Sequence, residues 1–357
     1  MRVAAIAART VRWPIAGTGA ARGRGERAAV LVEVRTGGGA IGLGEAAPLP
    51  GMSPDTLGDA EAAIAAFTRL AGVELADREA ARLLVAATTP PPSARFALET
   101  ALLDAFAREQ GVSVAALLGA RGPVPPVPLA AVVDDPAAAR AAFAAGIRCF
   151  KIKLAAGDPL DRVFAIADAA PGAALRIDAN RSWPDAEVVD RLAALAALPV
   201  EYVEEPCRDT HRLLRAGPLP CKLALDESLV ALRADELAAA LDSPALAAVI
   251  LKPALLGGLS ACLALAELAR ASGVAAVASH ALEGPIGTAA CAELALCLAA
   301  DGAACPAAGL APHPALAGWQ LPVAQLTADH VRPAAASGLG FVDLDLAGAL
   351  RACPEAR

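Results

Sequence analysis

Five charged residues, each at the end of a short apolar run, constrain the fold of this chain more than any other feature. The apolar runs are CFKIK, ALRID, VEYVE, KLALD and AVILK, and they end at Lys153, Asp178, Glu204, Asp226 and Lys252. The spacing is roughly 25 residues, close to the ~30 residues that one strand–helix unit takes in a (β/α)₈ barrel. Because catalytic side chains in that fold lie at the C-terminal ends of the strands, the pattern predicts all five around one barrel mouth.

The three acidic residues of this set predict a metal site. Three carboxylates in a half-buried site would repel one another unless a divalent cation held them. Taken alone, each acid is better explained as a helix N-cap or a turn residue, but three at matching strand ends favour a metal. Oxygen-only ligands select a hard cation, so Asp178, Glu204 and Asp226 predict a Mg²⁺ site. A lysine on either side of that metal suits removal of the weakly acidic α-proton of a carboxylate.

Composition excludes several other classes of protein. The net charge is −7 and no block of like charges occurs, which disfavours nucleic acid as a partner. No run of 18 uncharged apolar residues is present, and Arg9 and Arg12 interrupt the apolar start, which argues against a membrane span and a secretory signal. The eight cysteines are scattered without a CxxC motif, so we expect small core residues and a reducing, cytoplasmic setting. The sequence leaves the oligomeric state open.

Composition and pattern divide the chain into three parts. Residues 1–125 predict an α+β unit, in which AAVLVEVRT and AIGLGEAAP form two strands joined at Gly37–Gly39. Helices are predicted over 55–72 and 93–111, with Asp55 and Ser93 as N-caps and Gly111 as a stop. A Pro-rich linker follows at 122–128, and residues 316–357 are expected to pack back on the first unit.

Between these parts, residues 126–315 predict a modified barrel of alternating strands and helices. Eight strands in so short a segment make a compact barrel, so the last unit is expected to be irregular. The predicted strands lie near 128–133, 149–153, 174–178, 200–204, 222–226, 247–252, 274–279 and 304–309.

Other motifs carry weaker signals. Lys151 and Lys153 alternate onto one face of their strand, and two lysines inside a barrel are costly unless they are used. His280, at the end of the seventh strand, is equally compatible with a structural role and a role in the pocket. The loop Gly17–Glu26 is expected to be mobile and placed where it could cover the barrel mouth. His313 shows no ligand spacing.

The motifs KxK, DxN, EEP, DES and KP at successive strand ends resemble the enolase superfamily, in its muconate-lactonising-type subgroup. The resemblance covers nearly the whole chain. It implies an α/β fold with a (β/α)₇β TIM-like barrel and an N-terminal α+β capping domain completed by the C-terminal tail. It also implies a Mg²⁺ ion, which Mn²⁺ can replace, and proton abstraction from a small-molecule carboxylate.

Longer stretches, LRIDANRSW and GLGEAAPLPGMSPDTL among them, are similar to the o-succinylbenzoate synthases of this subgroup. That likeness implies syn dehydration of 2-succinyl-6-hydroxy-2,4-cyclohexadiene-1-carboxylate through an enediolate, in menaquinone biosynthesis. It makes Lys153 the base and then the acid, and gives Lys252 the role of steadying the enediolate by its charge. The same motifs imply metal ligands at Asp178, Glu204 and Asp226, and a substrate pocket at Lys151, Arg176, Asn180, Ser279, His280 and Gly309.

Two other functions compete with this one. A racemase of N-acylamino acids or an epimerase of dipeptides would use the same two lysines, one on each face of the α-carbon. Dipeptide epimerases usually carry an Asp-x-Asp at the eighth strand, and this chain has no acid between Asp301 and Asp329. A non-catalytic barrel that only binds a partner would have no need for two lysines beside a metal site. His280 and Gly284–Pro285 replace a serine-rich stretch of many synthases, so recognition of the succinyl tail is expected to differ.

Overall fold

The structure, a computed structural model, describes residues 1–15, 25–300 and 305–353. Most of the loop that was expected to cover the barrel mouth, residues 17–24, lies outside these ranges. So does residue 304, the first of the predicted eighth strand.

The N-terminal unit is an antiparallel three-stranded sheet packed against helices, and its strands follow one another in the order of the chain. Its elements are β1 (Val3–Pro14), β2 (Glu26–Thr36), β3 (Ile41–Ala46), α1 (Leu57–Phe67), α2 (Arg78–Ala87), α3 (Pro92–Glu109) and α4 (Val114–Leu118). The long helix α3 lies so close to β3 that a Cβ added at Gly44 would come within 1.9 Å of the Ala97 carbonyl oxygen. The glycines of the GLGEA strand therefore let a helix pack directly on the sheet.

The sequence predicted the hairpin of β2 and β3 and the helices α1 and α3, but not α2, α4 or the N-caps. Gly39 has a φ of +91° in the turn between β2 and β3, and Gly111 has a φ of +67° just after α3, as a helix stop requires. The N-cap predictions were wrong, since α1 is capped by Thr56. Asp55 instead accepts hydrogen bonds from the backbone and hydroxyl of Ser93. These two residues link the starts of α1 and α3 rather than capping them.

The middle part of the chain forms the barrel. Within the described residues, seven parallel strands adjoin in the order β11-β10-β9-β8-β7-β6-β5. These strands are β5 (Ala130–Val132), β6 (Cys149–Lys153), β7 (Ala174–Asp178), β8 (Val200–Glu204), β9 (Leu223–Leu225), β10 (Leu246–Leu251) and β11 (Ala275–Ala278). The two-residue strand β4 (Val127–Pro128) precedes them and belongs to a separate two-stranded sheet. The helices between and after them are α5 (Pro136–Ala144), α6 (Asp161–Ala169), α7 (Val188–Leu195), α8 (Thr210–Leu213), α9 (Ala234–Leu241), α10 (Pro253–Leu256), α11 (Leu259–Ala271) and α12 (Pro285–Ala299).

A short eighth segment closes the sheet into a barrel. Ala308 bridges to Leu129 beside β5, and Gly309 bridges to Ser279 just after β11, both in parallel. The barrel prediction is therefore confirmed, including the irregular last unit. Ala224 and Ala248 belong to a small apolar cluster, separate from the main core, that also contains Tyr202, Ile250 and Val277.

The C-terminal segment returns to the capping domain. It contains β12 (His330–Val331), which pairs with β4, and α13 (Leu346–Ala352). The backbone N–H of Leu346 donates to Glu33 of β2 at 2.8 Å. Trp13 of β1 donates to the Ala315 carbonyl at 2.9 Å, and its ring contacts Trp319 edge-on with 5.3 Å between ring centroids. The tail thus completes the capping domain, as the family resemblance implied.

Two general expectations can be compared with the structure. In the described ranges, no helix combines the length and the apolar character that crossing a membrane requires. Cys207, Cys221, Cys262 and Cys291 are buried in the main core, as expected of cysteines used as small apolar residues.

Candidate active site

The strand register brings the predicted residues together at one end of the barrel. Lys153 is the register partner of Asp178, and Asp178 is the partner of Glu204, on three adjacent strands. Asp226 directly follows β9, and Lys252 directly follows β10 and precedes α10. Parallel strands end at the same edge of a sheet, so the sequence spacing alone was sufficient to predict this grouping.

Lys151 lies between two of the carboxylates. Its Nζ donates to both oxygens of Glu204, at 2.7 and 2.9 Å, and lies 2.9 Å from Oδ2 of Asp178. The sequence placed Lys151 in the substrate pocket, and it does line the cavity. Its contacts show a further role, which is to neutralise the buried acids.

The two lysines expected to carry the chemistry have different surroundings. Lys252 is 6% exposed and its ammonium contacts the carboxylate of Asp226. The Lys153 side chain is 24% exposed, and its Nζ donates to Oδ1 of Asn180 at 3.0 Å and lies 3.7 Å from Asp178. Lys153 is therefore the more accessible of the two, while Lys252 is held in a buried ion pair.

The cluster has a marked effect on proton affinities. Burial raises the pKa of Glu204 and the pKa of Asp226. Burial acts the same way on Asp178, but the ammonium groups of Lys151 and Lys153 outweigh it and lower the pKa of Asp178. Burial opposes charge on Lys151, yet Asp178 and Glu204 hold the pKa of that lysine well above its ordinary value. Three acidic and three lysine side chains thus share one site, and their formal charges cancel when all six are ionised.

The three acids match the chemistry of a hard divalent cation. Asp178, Glu204 and Asp226 are 2%, 1% and 3% exposed and offer only oxygen atoms. Among the described residues, Oδ1 of Asp226 is buried with no hydrogen-bond partner, which leaves one oxygen for a ligand. In that part of the chain no three acidic, histidine or cysteine side chains are arranged as a metal site, and ammonium groups neutralise the acids instead. The donor set fits Mg²⁺, and binding it requires Lys151 to give up at least one of its two contacts to the Glu204 carboxylate.

A cavity of about 370 Å³ opens beside this cluster, which is the size range of small-molecule sites. Leu49 and Met52 of the capping domain form part of its wall, so the site lies where the two units meet. The predicted residues that line it are Lys151, Lys153, Arg176, Asp178, Asn180, Glu204, Lys252, Ser279, His280 and Gly309. Asp226 is not in the lining, but its carboxylate contacts Lys252, which is.

Arg176, Ser279 and Gly309, three of the predicted pocket residues, are bound into the cavity wall by hydrogen bonds. Arg176, which is 2% exposed, donates to Glu201 at 2.7 Å and to the Ala307 carbonyl at 2.6 Å. Ser279 donates to the carbonyl of Gly309 at 3.3 Å, across the closing strand. These contacts give them a structural part in the cavity wall, and their roles toward a substrate stay predictions.

A pair of stacked histidines forms another part of the wall. The rings of His280 and His313 are 3.9 Å apart between centroids and nearly parallel. Burial lowers the pKa of His280 well below its ordinary value and that of His313 to about 3, so both rings are neutral. Nδ1 of His280 accepts from the backbone N–H of Leu282 at 3.0 Å, so the proton of the ring is on Nε2. His280 can therefore donate a hydrogen bond but cannot form an ion pair.

Sequence reasoning missed several residues of the site. His313 was set aside for lack of ligand spacing, and only the fold brings it against His280. Tyr202 lines the cavity below Glu204, with the Arg176 guanidinium 5.0 Å from its ring centroid. Alternation along β8 was the available signal for Tyr202, since it lies two residues before a predicted ligand.

Comparison with known proteins agrees with this architecture. Residues 134–345 match the model of enolase C-terminal domain-like proteins. Residues 3–119 match the model of the mandelate racemase/muconate lactonizing enzyme N-terminal domain. Fold and site define a barrel enzyme with a capping domain. The chain belongs to the enolase superfamily, as its strand-end motifs predicted.

Relatives within the superfamily have different activities. The chain is 33% identical over 188 residues to an aromatic dipeptide epimerase of Herpetosiphon aurantiacus, which is 50% of this chain and 53% of the relative. It is 35% identical over 177 residues to an o-succinylbenzoate synthase of Mycobacterium bovis, which is 46% of this chain and 52% of the relative. The chain thus spans about half the length of these curated relatives. A muconate cycloisomerase of Acinetobacter lwoffii is 30% identical over 284 residues, 74% of each chain.

Solved structures show the same fold along the whole chain. Muconate lactonizing enzyme from Pseudomonas putida has a TM-score of 0.82 at 25% identity, covering 100% of both chains. A dipeptide epimerase from Methylococcus capsulatus, complexed with Mg and the dipeptide L-Arg-D-Lys, has a TM-score of 0.80 at 27% identity, covering 95% of this chain and 99% of that one. Superfamily membership therefore leaves the reaction to be argued from the site.

Proposed function

We propose that this chain is a Mg²⁺-dependent o-succinylbenzoate synthase. It would dehydrate 2-succinyl-6-hydroxy-2,4-cyclohexadiene-1-carboxylate in syn fashion, as a step toward menaquinone. Asp178, Glu204 and Asp226 would hold the metal, which supplies positive charge beside the substrate carboxylate and so makes its α-proton more acidic. The observation that carries the proposal is the contrast between an accessible Lys153 and a buried, ion-paired Lys252.

That contrast gives the two lysines separate tasks. Lys153 reaches the cavity, where its ammonium donates to Asn180 and lies 3.7 Å from Asp178, so it is held less closely than Lys252. It can give a proton as the ammonium and take one as the amine. A syn dehydration needs one group that removes the α-proton and returns it to the departing hydroxyl on the same face, which a single lysine can do. Lys252 is held as an ammonium by Asp226, and its charge would stabilise the enediolate from the other side.

The charge balance of the site also suits an enediolate. The formal charges of the three acids and the three lysines cancel when all six groups are ionised. A divalent cation held by the acids would leave two positive charges in excess. An enediolate carries two negative charges, so the site with its metal matches the charge that develops in the transition state.

The alternative is an N-acylamino acid racemase or dipeptide epimerase of the same superfamily. Its support is that Lys153 and Lys252 both line one cavity, as a two-base reaction requires. Asp134, which lines the cavity and is exposed, could receive the ammonium of a dipeptide. Dipeptide epimerases among the relatives of this chain also support the alternative function.

One pair of assays separates the two functions. Purified protein with Mg²⁺ and the cyclohexadiene substrate should consume the diene, which is followed by its absorbance. N-Acylamino acids and dipeptides incubated in D₂O report racemisation through exchange of the α-hydrogen. Diene loss with a far larger kcat/KM than any exchange supports the synthase, and exchange without diene loss refutes it.

His280→Ala is expected to weaken binding of the substrate tail more than it slows the reaction. The neutral His280 can donate from Nε2 to the succinyl carboxylate, whose charge does not change during dehydration. A hydrogen bond to a charged group contributes roughly 1.5–3 kcal/mol, so KM should rise about 10- to 150-fold with a smaller change in kcat. Steady-state kinetics on the cyclohexadiene substrate measure both constants.

The matched control for this experiment is His211→Ala, on the short helix α8 outside the cavity lining. It should leave KM unchanged. If His280 is only structural, holding Leu282 and stacking on His313, its alanine variant will lose melting temperature and keep the KM of the wild type. That outcome would remove His280 from substrate recognition.

A further inference from the structure

Glu205, the second acid of the EEP motif, is buried behind the site and is used by none of the roles above. It is 0% exposed and has a φ of +44°, which a residue with a side chain adopts only where its surroundings enforce it. It follows Glu204 at the end of β8, next to the end of β9. A buried carboxylate in a strained backbone position beside three metal-binding acids calls for a physical explanation.

The contacts of Glu205 show what it holds. Its Oε1 accepts from the backbone N–H of Asp226 and from that of Ser228, each at 2.9 Å. Its Oε2 accepts from the Ser228 hydroxyl at 2.8 Å. All three hydrogen bonds go to the loop that carries Asp226. The side chain is therefore an anchor for the backbone of that loop.

The side chain of Glu205 connects β8 to the residues after β9, beyond the point where the backbone pairing of these two strands ends. Between β8 and β9 the register pairs are Val203 with Leu223 and Glu204 with Ala224, one residue short of the end of β9. Beyond that point the backbone N–H of Asp226 donates to a side chain, that of Glu205, instead of to a neighbouring strand. The carboxylate thus continues the connection between the two strands past the last ladder pair, at the position where a ligand must be held still.

The backbone of Glu205 connects to the other ligand loop. Its carbonyl accepts from the N–H of Arg181 at 2.7 Å, and the Glu204 carbonyl accepts from Ala179 at 3.1 Å. The loop after Asp178 is therefore held by the backbone of residues 204 and 205, and the loop with Asp226 by the side chain of Glu205. One residue links all three ligand-bearing strand ends.

We propose that Glu205 is a positioning residue that places Asp226, and with it the three-carboxylate set, for metal binding. The inference rests on the proposed function, because only there is Asp226 a ligand. Hydrogen-bonding partners that orient metal ligands typically change metal affinity by 10- to 100-fold when they are altered. The role depends on the reach and geometry of the carboxylate and not on its charge.

Two conservative variants of Glu205 distinguish a role of side-chain length from a role of charge. Glu205→Gln keeps the length of the side chain: its carbonyl oxygen can accept from both N–H groups, and its NH₂ can donate to the Ser228 hydroxyl. Glu205→Asp keeps the acid but is one methylene shorter and cannot reach the same three donors. Positioning therefore predicts that the Gln variant binds Mg²⁺ within about threefold of wild type and that the Asp variant binds about 10-fold or more weakly.

The measurement is titration of the metal-free full chain with MgCl₂ by calorimetry, together with the melting temperature. Glu293→Asp is the matched control, because Glu293 is equally buried and accepts from Ala115 and Gln325 away from the barrel mouth. It should lower the melting temperature and leave Mg²⁺ affinity unchanged. Asp226→Asn, which alters the ligand itself, should weaken binding more than Glu205→Asp does.

Each result separates the inference from the function that it rests on. Wild-type Mg²⁺ affinity in Glu205→Asp, with weak binding in Asp226→Asn, would overturn the positioning role and keep the metal site. Equal losses in the Gln and Asp variants would also overturn it, since charge would then matter more than reach. Unchanged affinity in Asp226→Asn would instead reject the metal assignment of the proposed function.

Discussion

Lys153→Ala is expected to lower kcat for dehydration by about 10⁴-fold or more and to leave the fold intact. A single general acid or base typically contributes ~10²–10⁴ in rate, and Lys153 would serve as both in the syn reaction. The other lysines cannot take over, because Lys151 is bound between Glu204 and Asp178 and Lys252 is paired with Asp226. The measurement is kcat on the cyclohexadiene substrate at saturating Mg²⁺.

Two controls show that the loss comes from chemistry. The Lys153 side chain is partly exposed and makes few contacts, so the melting temperature of the variant should stay close to that of wild type. Its affinity for Mg²⁺ should also be kept, since Lys153 lies farther from the acids than Lys151 does. A folded, metal-binding Lys153→Ala protein with the kcat of wild type would contradict the proposed mechanism.

The barrel could be predicted because its signal is periodic. The apolar runs ending at Lys153, Asp178 and Glu204 match β6, β7 and β8 to the residue, and the next three strands differ by one residue at each end. Of the predicted eighth strand, 304–309, the described part shows only the bridges of Ala308 and Gly309. A short buried strand followed by a charged residue at a regular interval leaves few other interpretations.

The edge strand β1 was missed because Arg9, Thr10 and Arg12 interrupt its apolar pattern where it faces solvent.

What could not be predicted depends on contacts between loops. The pattern placed Lys151 on the inner face of β6, but not its position between Asp178 and Glu204, which follows from the close packing of three strand ends. The N-cap prediction was wrong because Asp55 and Ser93 bind each other. Each is a good cap residue by itself, but their contact joins two helices that are distant in the chain. Local patterns carry no information on such partners.

Removing the metal is expected to abolish dehydration without unfolding the protein. EDTA should reduce turnover to background, and Mg²⁺ or Mn²⁺ should restore it, because both ions take oxygen ligands. The chelated protein should stay folded, since the ammonium groups of Lys151 and Lys252 neutralise the buried acids when the cation is gone. Activity and circular dichroism, recorded on the same chelated sample, check both expectations.

Thermal unfolding provides an independent measure of the same site. A ligand that binds only the folded state stabilises it by about 2.7 kcal/mol at 100 times its Kd, so the melting temperature should rise with Mg²⁺ concentration. The rise should be lost in Asp178→Ala, which is expected to remove one of the three ligands together with an acceptor of Lys151. Two results would show that the three carboxylates serve only as partners for the lysines. One is full turnover in exhaustively chelated protein, and the other is a melting temperature of the active enzyme that does not change with Mg²⁺ concentration. The chemistry would then have to come from the ammonium groups alone, and their three charges are already cancelled by the three acids.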